Sequence, residues 1–257
     1  MHPPRKRFSQ NFLEDRGIVR QIVAAIDPKR DDRIVEIGPG PGALTAPLLD
    51  RVVGLDVIEI DRDLVRSLRA RFPSESLRVH QGDALACDFA AFGAGIRVVG
   101  NLPYNISTPI LFHLTAQVAV LRDCHFMLQR EVVERMAAEP GSPEYGRLSV
   151  MLQYRWVIES LFDVPPMAFH PQPKVWSSLV RMTPYVTLPH RASNEILFAD
   201  VVMRAFGQRR KTLRNALREW LEAKELERLG IDPGARGETL GVPQFVSIAN
   251  FLACRQR

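Results

Sequence analysis

Between residues 33 and 129, short apolar segments alternate with segments whose apolar residues recur every three to four positions. The first pattern is typical of buried strands and the second of amphipathic helices. This alternation predicts an α/β domain built on a doubly wound, mostly parallel sheet. The predicted strands are residues 33–37, 55–60, 77–80, 96–100 and 124–129.

The pattern changes towards the C-terminus. Residues 148–156 and 175–182 are predicted to form two antiparallel strands around a proline-rich loop. From residue 188 onward the periodicity is helical, with predicted helices at 194–205, 211–229 and 243–254. We therefore predict a catalytic domain at 1–185 and a helical domain that binds RNA or the ribosome at 186–257.

Composition narrows the class of protein. The 257 residues carry a net charge of +5, which favours a polyanionic partner. No apolar run approaches the roughly 20 residues that cross a bilayer, and no apolar stretch follows the basic N-terminus. Cys87, Cys124 and Cys254 are scattered, which indicates reduced thiols rather than disulfides or zinc. We expect a cytoplasmic monomer with no metal and no membrane segment.

A glycine-rich loop at residues 35–42 runs out of the first predicted strand into a helix. Glycine permits a sharp turn and a close ligand. The loop alone fits a tight turn or a dinucleotide site, since Glu59 ends the next strand where a ribose-binding acid sits. Pro39 and Pro41, however, remove backbone N–H groups that a pyrophosphate needs. This favours a ligand without phosphate, such as S-adenosylmethionine.

Two acids follow strand ends, where ligands of open α/β sheets bind. Glu59 can accept hydrogen bonds from ribose hydroxyls, and Asp83 can accept one from an adenine amine. Each is also compatible with a solvated loop acid. Asp61 is interpreted as a helix N-cap or a salt-bridge partner.

Residues 100–109 point to the reaction. The amide oxygen of Asn101 can accept a hydrogen bond from an exocyclic amine, and Pro103 fixes the backbone so that the carbonyl of Leu102 accepts a second. Tyr104 offers a face on which a base can stack. Two acceptors would aim the amine lone pair at a sulfonium methyl group, so alignment would drive the transfer. The alternative is an ordinary turn with Tyr104 in the core.

The chain resembles the ribosomal RNA adenine N6,N6-dimethyltransferases, and within them those of the bacterial small subunit. Ser9 stands where many members have Gly, and Arg130 where many have Lys. The matching segments are residues 8–13, 35–40, 59–61, 82–84, 101–107, 129–133, 145–149, 169–175 and 208–215.

The resemblance implies a Rossmann-like class I methyltransferase fold, with a seven-stranded, mostly parallel sheet and a small all-α C-terminal domain. It implies S-adenosylmethionine as cofactor and, as substrate, two adjacent adenines in a terminal hairpin of small-subunit RNA, in the 30S particle. The implied cofactor contacts are Asn11, Leu13, Gly38, Glu59, Asp83 and Asn101.

Basic residues supply a candidate RNA surface. On a helix beginning near Arg210, the side chains of Arg210, Arg214 and Arg218 would share one stripe beside Lys211. A solvated basic face is the alternative, but further cations favour phosphate contacts. These are Arg5, Lys6, Arg7, Arg204 and Arg209.

Phe169 lies in the proline-rich loop and is predicted to sandwich a flipped adenine against Tyr104. An ordinary packing role is the alternative.

Three other functions stay open at this point. A large-subunit adenine methyltransferase of the antibiotic-resistance type would share the loop motifs. A ribosome assembly factor would need binding rather than catalysis. A nicotinamide oxidoreductase would share the glycine loop and Glu59.

Overall fold

A computed structural model describes residues 11–207 and 211–255. Five cations predicted to contact RNA lie outside these ranges, namely Arg5, Lys6, Arg7, Arg209 and Arg210. Among the described residues, no helix combines the length and the apolar character that a membrane crossing demands.

A seven-stranded sheet organises the first part of the chain, as predicted. Its strands lie in the order β4-β3-β2-β5-β6-β9-β7. The five strands from β4 to β6 are parallel, and β9 is antiparallel to β6. A separate antiparallel pair joins β1 to β8. The strands are β1 (Phe12–Leu13), β2 (Ile34–Ile37), β3 (Leu55–Glu59), β4 (Leu77–Gln81), β5 (Ile96–Asn101), β6 (Leu121–Gln129), β7 (Trp156–Val164), β8 (Phe169–His170) and β9 (Ser177–Pro184).

Helices flank the strands and continue to the C-terminus. The carboxylates of Asp15 and Asp61 accept backbone N–H bonds at the starts of α1 and α3, so the predicted N-cap role of Asp61 is confirmed. The helices are α1 (Arg16–Ile26), α2 (Thr45–Leu49), α3 (Arg62–Arg71), α4 (Ser107–Ala116), α5 (Arg130–Ala137), α6 (Arg147–Gln153), α7 (Glu195–Phe206), α8 (Leu213–Ala216), α9 (Ala223–Arg228) and α10 (Val242–Arg255).

The described residues form two compact units. One contains the residues up to Val133 together with Ile158–Pro184, and the other contains Glu134–Val157 together with the residues from Tyr185 onward. Residues 134–157 therefore pack with the C-terminal helices, although the sequence placed them in the first domain. The predicted functional division at residues 185 and 186 stays a prediction.

The segment 148–156 was predicted as a strand, which is wrong over most of its length. It contains α6, and only Trp156 begins a strand. The hydroxyl of Ser149 donates to the Arg135 carbonyl and accepts from the Gly146 N–H, so this helix is tied down at its start. Nearly all of its side chains are shielded from solvent. A buried helix shows no polar face, and its sequence then resembles a buried strand.

The prediction of a single helix over residues 211–229 is also wrong, because this segment contains two short helices, α8 and α9, separated by a turn. The N–H groups of Leu213 and Arg214 donate to carbonyls of Ala235 and Pro233, which anchors α8 from outside the helix. Leu213 and Leu217 are buried as their spacing suggests. The basic stripe, however, requires continuous helix, and Arg218 lies beyond the end of α8.

Strands β2 and β5 approach closely where both end. A Cβ built on Gly100 would lie 2.5 Å from the carbonyl oxygen of Ile37. Real side chains do not tolerate such a contact with backbone, so the absence of a side chain at this position lets the strand ends converge on one cleft.

We expect Gly100→Ala to lower the free energy of unfolding by about 1–3 kcal/mol, because overpacking forces backbone shifts. Gly82→Ala is the matched control, since a Cβ there meets nothing within 4 Å and its φ is not positive. Urea unfolding of both variants measures the difference. Equal stability of the two variants would contradict the close approach.

Candidate active site

A cleft of about 200 Å³ opens at the carboxyl ends of β2, β3, β4 and β5. These four strands are neighbours in the sheet, so the residues after them converge although they are far apart in sequence. The structure thus brings together nine of the predicted site residues. The cleft is lined by Asn11, Leu13, Gly38, Glu59, Asp83, Asn101, Leu102, Pro103 and Tyr104, among others.

The glycine loop forms one wall of this cleft. Gly38 and Gly40 have φ values of 65° and 56°, a left-handed conformation that disfavours side chains. A Cβ on Gly40 would also lie 3.1 Å from the ring of Phe12. The loop therefore turns sharply after β2 and, at Gly38 and Gly40, leaves its backbone open to a ligand.

Glu59 lies at the end of β3 and is 4% exposed. Its Oε1 accepts from the Asp61 N–H at 2.9 Å, and its Oε2 accepts from the Gly40 N–H at 3.3 Å. Burial raises the pKa of Glu59, while these backbone bonds act in the opposite direction. A carboxylate has about four acceptor sites, so it retains acceptor capacity for hydroxyl groups of a ligand.

Asp83 follows β4 at the same edge. Its Oδ1 accepts from the Leu85 N–H at 2.9 Å, which caps the short 3₁₀ turn at Ala84–Ala86. The carboxylate is thus held in place by the backbone. A second oxygen remains an acceptor of the type that an amine ligand needs.

Sequence reasoning missed Glu36, which also lines the cleft. It is buried within β2, and its Oε2 accepts from the Thr45 hydroxyl at 2.6 Å. Burial raises the pKa of Glu36 to about 7, and the nearby charge of Glu59 adds to this. The signal was an acid inside an otherwise apolar strand, because such a residue is seldom buried without a reason.

We expect Glu36→Gln to stabilise the protein at alkaline pH relative to the unchanged chain. The pKa of Glu36 is about 7 in the folded state against 4.5 ordinarily. Folding takes up a proton between these values, so the free energy of unfolding falls as pH rises through that window. The loss by pH 8 is about 3 kcal/mol. Urea titrations at pH 5 and 8 test this. If the two proteins differed in free energy of unfolding by the same amount at both pH values, the prediction would be wrong.

Asn101 ends β5 and is oriented by the segment before β1. Its Nδ2 donates to the backbone carbonyl of Asn11 at 2.9 Å. With the NH₂ group so engaged, Oδ1 is the atom of this side chain that can accept from a ligand. The next residue, Leu102, is buried, and its N–H donates to the Met127 carbonyl at 3.2 Å.

The turn after Asn101 is fastened at both ends. The Pro103 carbonyl accepts from the Ile106 N–H at 3.1 Å and from the Ser107 hydroxyl at 3.2 Å. The hydroxyl of Tyr104 lies 3.2 Å from the Ser177 hydroxyl, a partner that sequence reasoning missed. Burial raises the pKa of Tyr104, so its ring is neutral near pH 7. The turn therefore places Asn101, Leu102 and the Tyr104 ring together along the cleft.

Phe169 is placed differently from the other predicted residues. It is 4% exposed, pairs with Leu13 in the β1–β8 ladder, and packs into the hydrophobic core around α1. It does not line the cleft. In the described geometry it packs in the core, and its stacking role stays a prediction.

Of the basic residues predicted to contact RNA, four lie within the described ranges. Arg204 is half-buried and paired with Glu219 at 2.8 Å. The other three are Lys211, Arg214 and Arg218. All three are exposed and belong to the C-terminal unit.

A family model described as ribosomal RNA adenine dimethylase matches residues 1–254. The chain belongs to this family. It is therefore an S-adenosylmethionine-dependent methyltransferase of adenine in ribosomal RNA.

Individual relatives agree with this assignment. A ribosomal RNA small subunit methyltransferase A from Aromatoleum aromaticum is 58% identical over 254 residues, 99% of this chain and 96% of the relative. The protein of the same name from Bordetella pertussis is 56% identical over 251 residues, 98% and 95% of the two chains.

Solved structures support the fold. A crystal structure of a dimethyladenosine transferase from Plasmodium falciparum has a TM-score of 0.82 and 25% identity, and covers 95% of this chain and 98% of that one. The 23S ribosomal RNA methyltransferase ErmE has a TM-score of 0.76 and 24% identity, over 95% and 100% of the two chains. Both likenesses confirm the predicted methyltransferase fold.

Proposed function

We propose that this enzyme methylates the N6 amines of two adjacent adenines in a hairpin near the 3′ end of small-subunit RNA, in a late step of 30S assembly. The names of relatives 54–58% identical over nearly the whole chain support the choice of subunit. The observation that carries the proposal is the convergence of Asn101, Leu102 and Tyr104 on the cleft that Glu59 lines.

The cleft fits S-adenosylmethionine, which supplies an electrophilic methyl group when bound. We assign Glu59 to the ribose hydroxyls, because its buried carboxylate keeps acceptor capacity, and Asp83 to the adenine amine. Gly38 gives the ligand close access to backbone. The chain before α1 would cover the ligand, since the Asn11 carbonyl is bonded to Asn101. The proposed cofactor contacts are Asn11, Leu13, Gly38, Glu59, Asp83 and Asn101.

The proposed chemistry rests on alignment. An adenine amine is a poor nucleophile because its lone pair is delocalised into the ring. Hydrogen bonds to Asn101 Oδ1 and the Leu102 carbonyl would favour a tetrahedral nitrogen and aim its lone pair into the cleft. Pro103 would restrict the backbone and so hold the two acceptor oxygens at a fixed distance from each other. The amine proton can leave after transfer, so no strong base is needed.

Tyr104 would hold the flipped base by stacking, since its ring is fixed by the bond to Ser177. The predicted second ring, Phe169, packs against the core in the described geometry. The predicted sandwich would need the Phe169 ring to leave the core, in which it is 4% exposed. We therefore place the stacking on Tyr104.

RNA phosphates are proposed to bind the basic residues named above. The exposed side chains of Lys211, Arg214 and Arg218 support this for the described part of the chain. Phosphate contacts release counterions, so affinity should fall steeply as salt rises. The predicted contacts that lie outside the described residues enter the proposal on sequence alone. They are Arg5, Lys6, Arg7, Arg209 and Arg210.

Mass analysis of adenines after incubation with S-adenosylmethionine and isolated particles tests the proposal. We expect N6,N6-dimethyladenosine in 30S RNA and none in 50S RNA. Product only in 50S RNA would overturn the proposed substrate and favour the large-subunit alternative. Binding to 30S without product would favour an assembly factor.

A further inference from the structure

An exposed tryptophan lies at the end of the sheet where the cleft opens. Strand β9 is antiparallel to β6, so its first residue, Ser177, pairs with Gln129 where β6 ends. Trp176 precedes it directly and is 46% exposed. An indole is costly to leave in water, and one at this end of the sheet is a candidate contact for a ligand.

The backbone around Trp176 is fixed to the proposed active site. The Trp176 carbonyl accepts from the Arg130 N–H at 2.9 Å, which extends the β6–β9 ladder by one bond. The next residue, Ser177, is buried and its hydroxyl meets the Tyr104 hydroxyl at 3.2 Å. Trp176 is thus one residue away from the partner of the proposed stacking ring, on a rigid element.

Cations accompany the indole. The Arg130 guanidinium carbon lies 6.0 Å from the Trp176 ring centroid, and this side chain is 48% exposed. Lys174 is also exposed. Asp163 Oδ2 lies 3.8 Å from Arg130 Nη1, and both side chains are about half exposed, so the guanidinium can be reached from solvent. A ring flanked by cations matches a nucleotide, which offers a flat base and an anionic phosphate.

We propose that Trp176 stacks on the nucleotide that neighbours the target adenine, while Arg130 contacts the adjoining phosphate. This inference rests on the proposed function. When one adenine leaves the stack and enters the cleft, its neighbour loses a stacking partner. Trp176 replaces that partner beside the cleft. The enzyme therefore binds the RNA with one adenine flipped out more tightly than the fully stacked RNA.

The test compares Trp176→Ala, Trp176→Phe and Val53→Ala. Val53 is a control of the same kind, an exposed apolar residue 64% accessible, located before β3 at the opposite edge of the sheet. We expect Trp176→Ala to raise KM for 30S particles about tenfold and to leave kcat within about twofold, as loss of one stacked base implies. Trp176→Phe should recover most of the affinity, and Val53→Ala should match the unchanged enzyme.

Fluorescence gives a second readout without activity. Trp156 is buried, so added solutes quench mainly the fluorescence of Trp176 and of the half-buried Trp220. A protein-free RNA hairpin that carries the two adenines should quench this emission in the unchanged enzyme and in Val53→Ala, and much less in Trp176→Phe. Unchanged unfolding temperatures would exclude misfolding as the cause.

The outcomes separate the two proposals. If the unchanged enzyme methylates 30S RNA and Trp176→Ala has the same KM, this inference is wrong and the proposed function stands. If the unchanged enzyme yields no product on 30S, the proposed function fails. If Trp176→Ala weakens binding to 30S but not to the protein-free hairpin, the indole meets a ribosomal protein, and the inference is overturned.

Discussion

Asn101→Ala is expected to lower kcat for adenine methylation by about 10²–10³-fold, the usual effect of losing one preorganised hydrogen-bond partner in a transition state. The affinity for 30S particles should stay the same, because the side chain is half-buried in the cleft and not on a basic surface. Single-turnover methylation and sedimentation with 30S particles measure the two quantities.

Asn105→Ala is the matched control for this experiment. Asn105 belongs to the same turn and also lines the cleft, but its side chain is exposed and the proposed chemistry assigns it no contact with the amine. We therefore expect less than about a threefold change in kcat. If Asn101→Ala retained full kcat, the amide could not be an acceptor for the reacting amine. The cofactor affinity of each variant should be recorded as well, since Asn101 also holds the Asn11 carbonyl.

Glu59→Ala is expected to weaken S-adenosylmethionine binding about 10²–10⁴-fold. Hydrogen bonds to a charged group are each worth about 1.5–3 kcal/mol, and the buried carboxylate would accept from two ribose hydroxyls. Glu59→Gln keeps one acceptor oxygen but not the charge, and should show an intermediate loss. Titration calorimetry measures all three affinities.

The same experiment has a pH arm and a stability control. Because burial raises the pKa of Glu59, acidification should protonate it and weaken cofactor binding, whereas Glu59→Gln should show a smaller dependence. Removal of the carboxylate also leaves the Gly40 and Asp61 N–H groups without their acceptor, at about 1–3 kcal/mol. Urea unfolding must therefore establish that Glu59→Ala is folded during titration. Wild-type affinity in that variant would exclude the ribose role.

Much of the site follows from sequence because strand ends in a parallel sheet share one edge. Gly38, Glu59, Asp83 and Asn101 each lie at or just after the end of a strand whose apolar pattern is readable. The four strands, β4, β3, β2 and β5, are neighbours. Their convergence on one cleft was therefore predictable before any coordinates.

The missed features depend on contacts between distant residues. The Ser177 partner of Tyr104 lies 73 residues along the chain, and the β1–β8 pair that buries Phe169 joins residues 13 and 169. Local sequence patterns cannot predict which distant residues pair. The break between α8 and α9 has the same origin, since carbonyls of residues 233 and 235 anchor α8. The leucine spacing was correctly interpreted, but not the length of the helix.

A crystal structure with S-adenosylhomocysteine and the substrate hairpin tests the central claim most directly. It should place the N6 nitrogen of one flipped adenine about 2.7–3.2 Å from both Asn101 Oδ1 and the Leu102 carbonyl oxygen, with the base against Tyr104. An adenine bound in the cleft with its amine facing away from both oxygens would contradict the account.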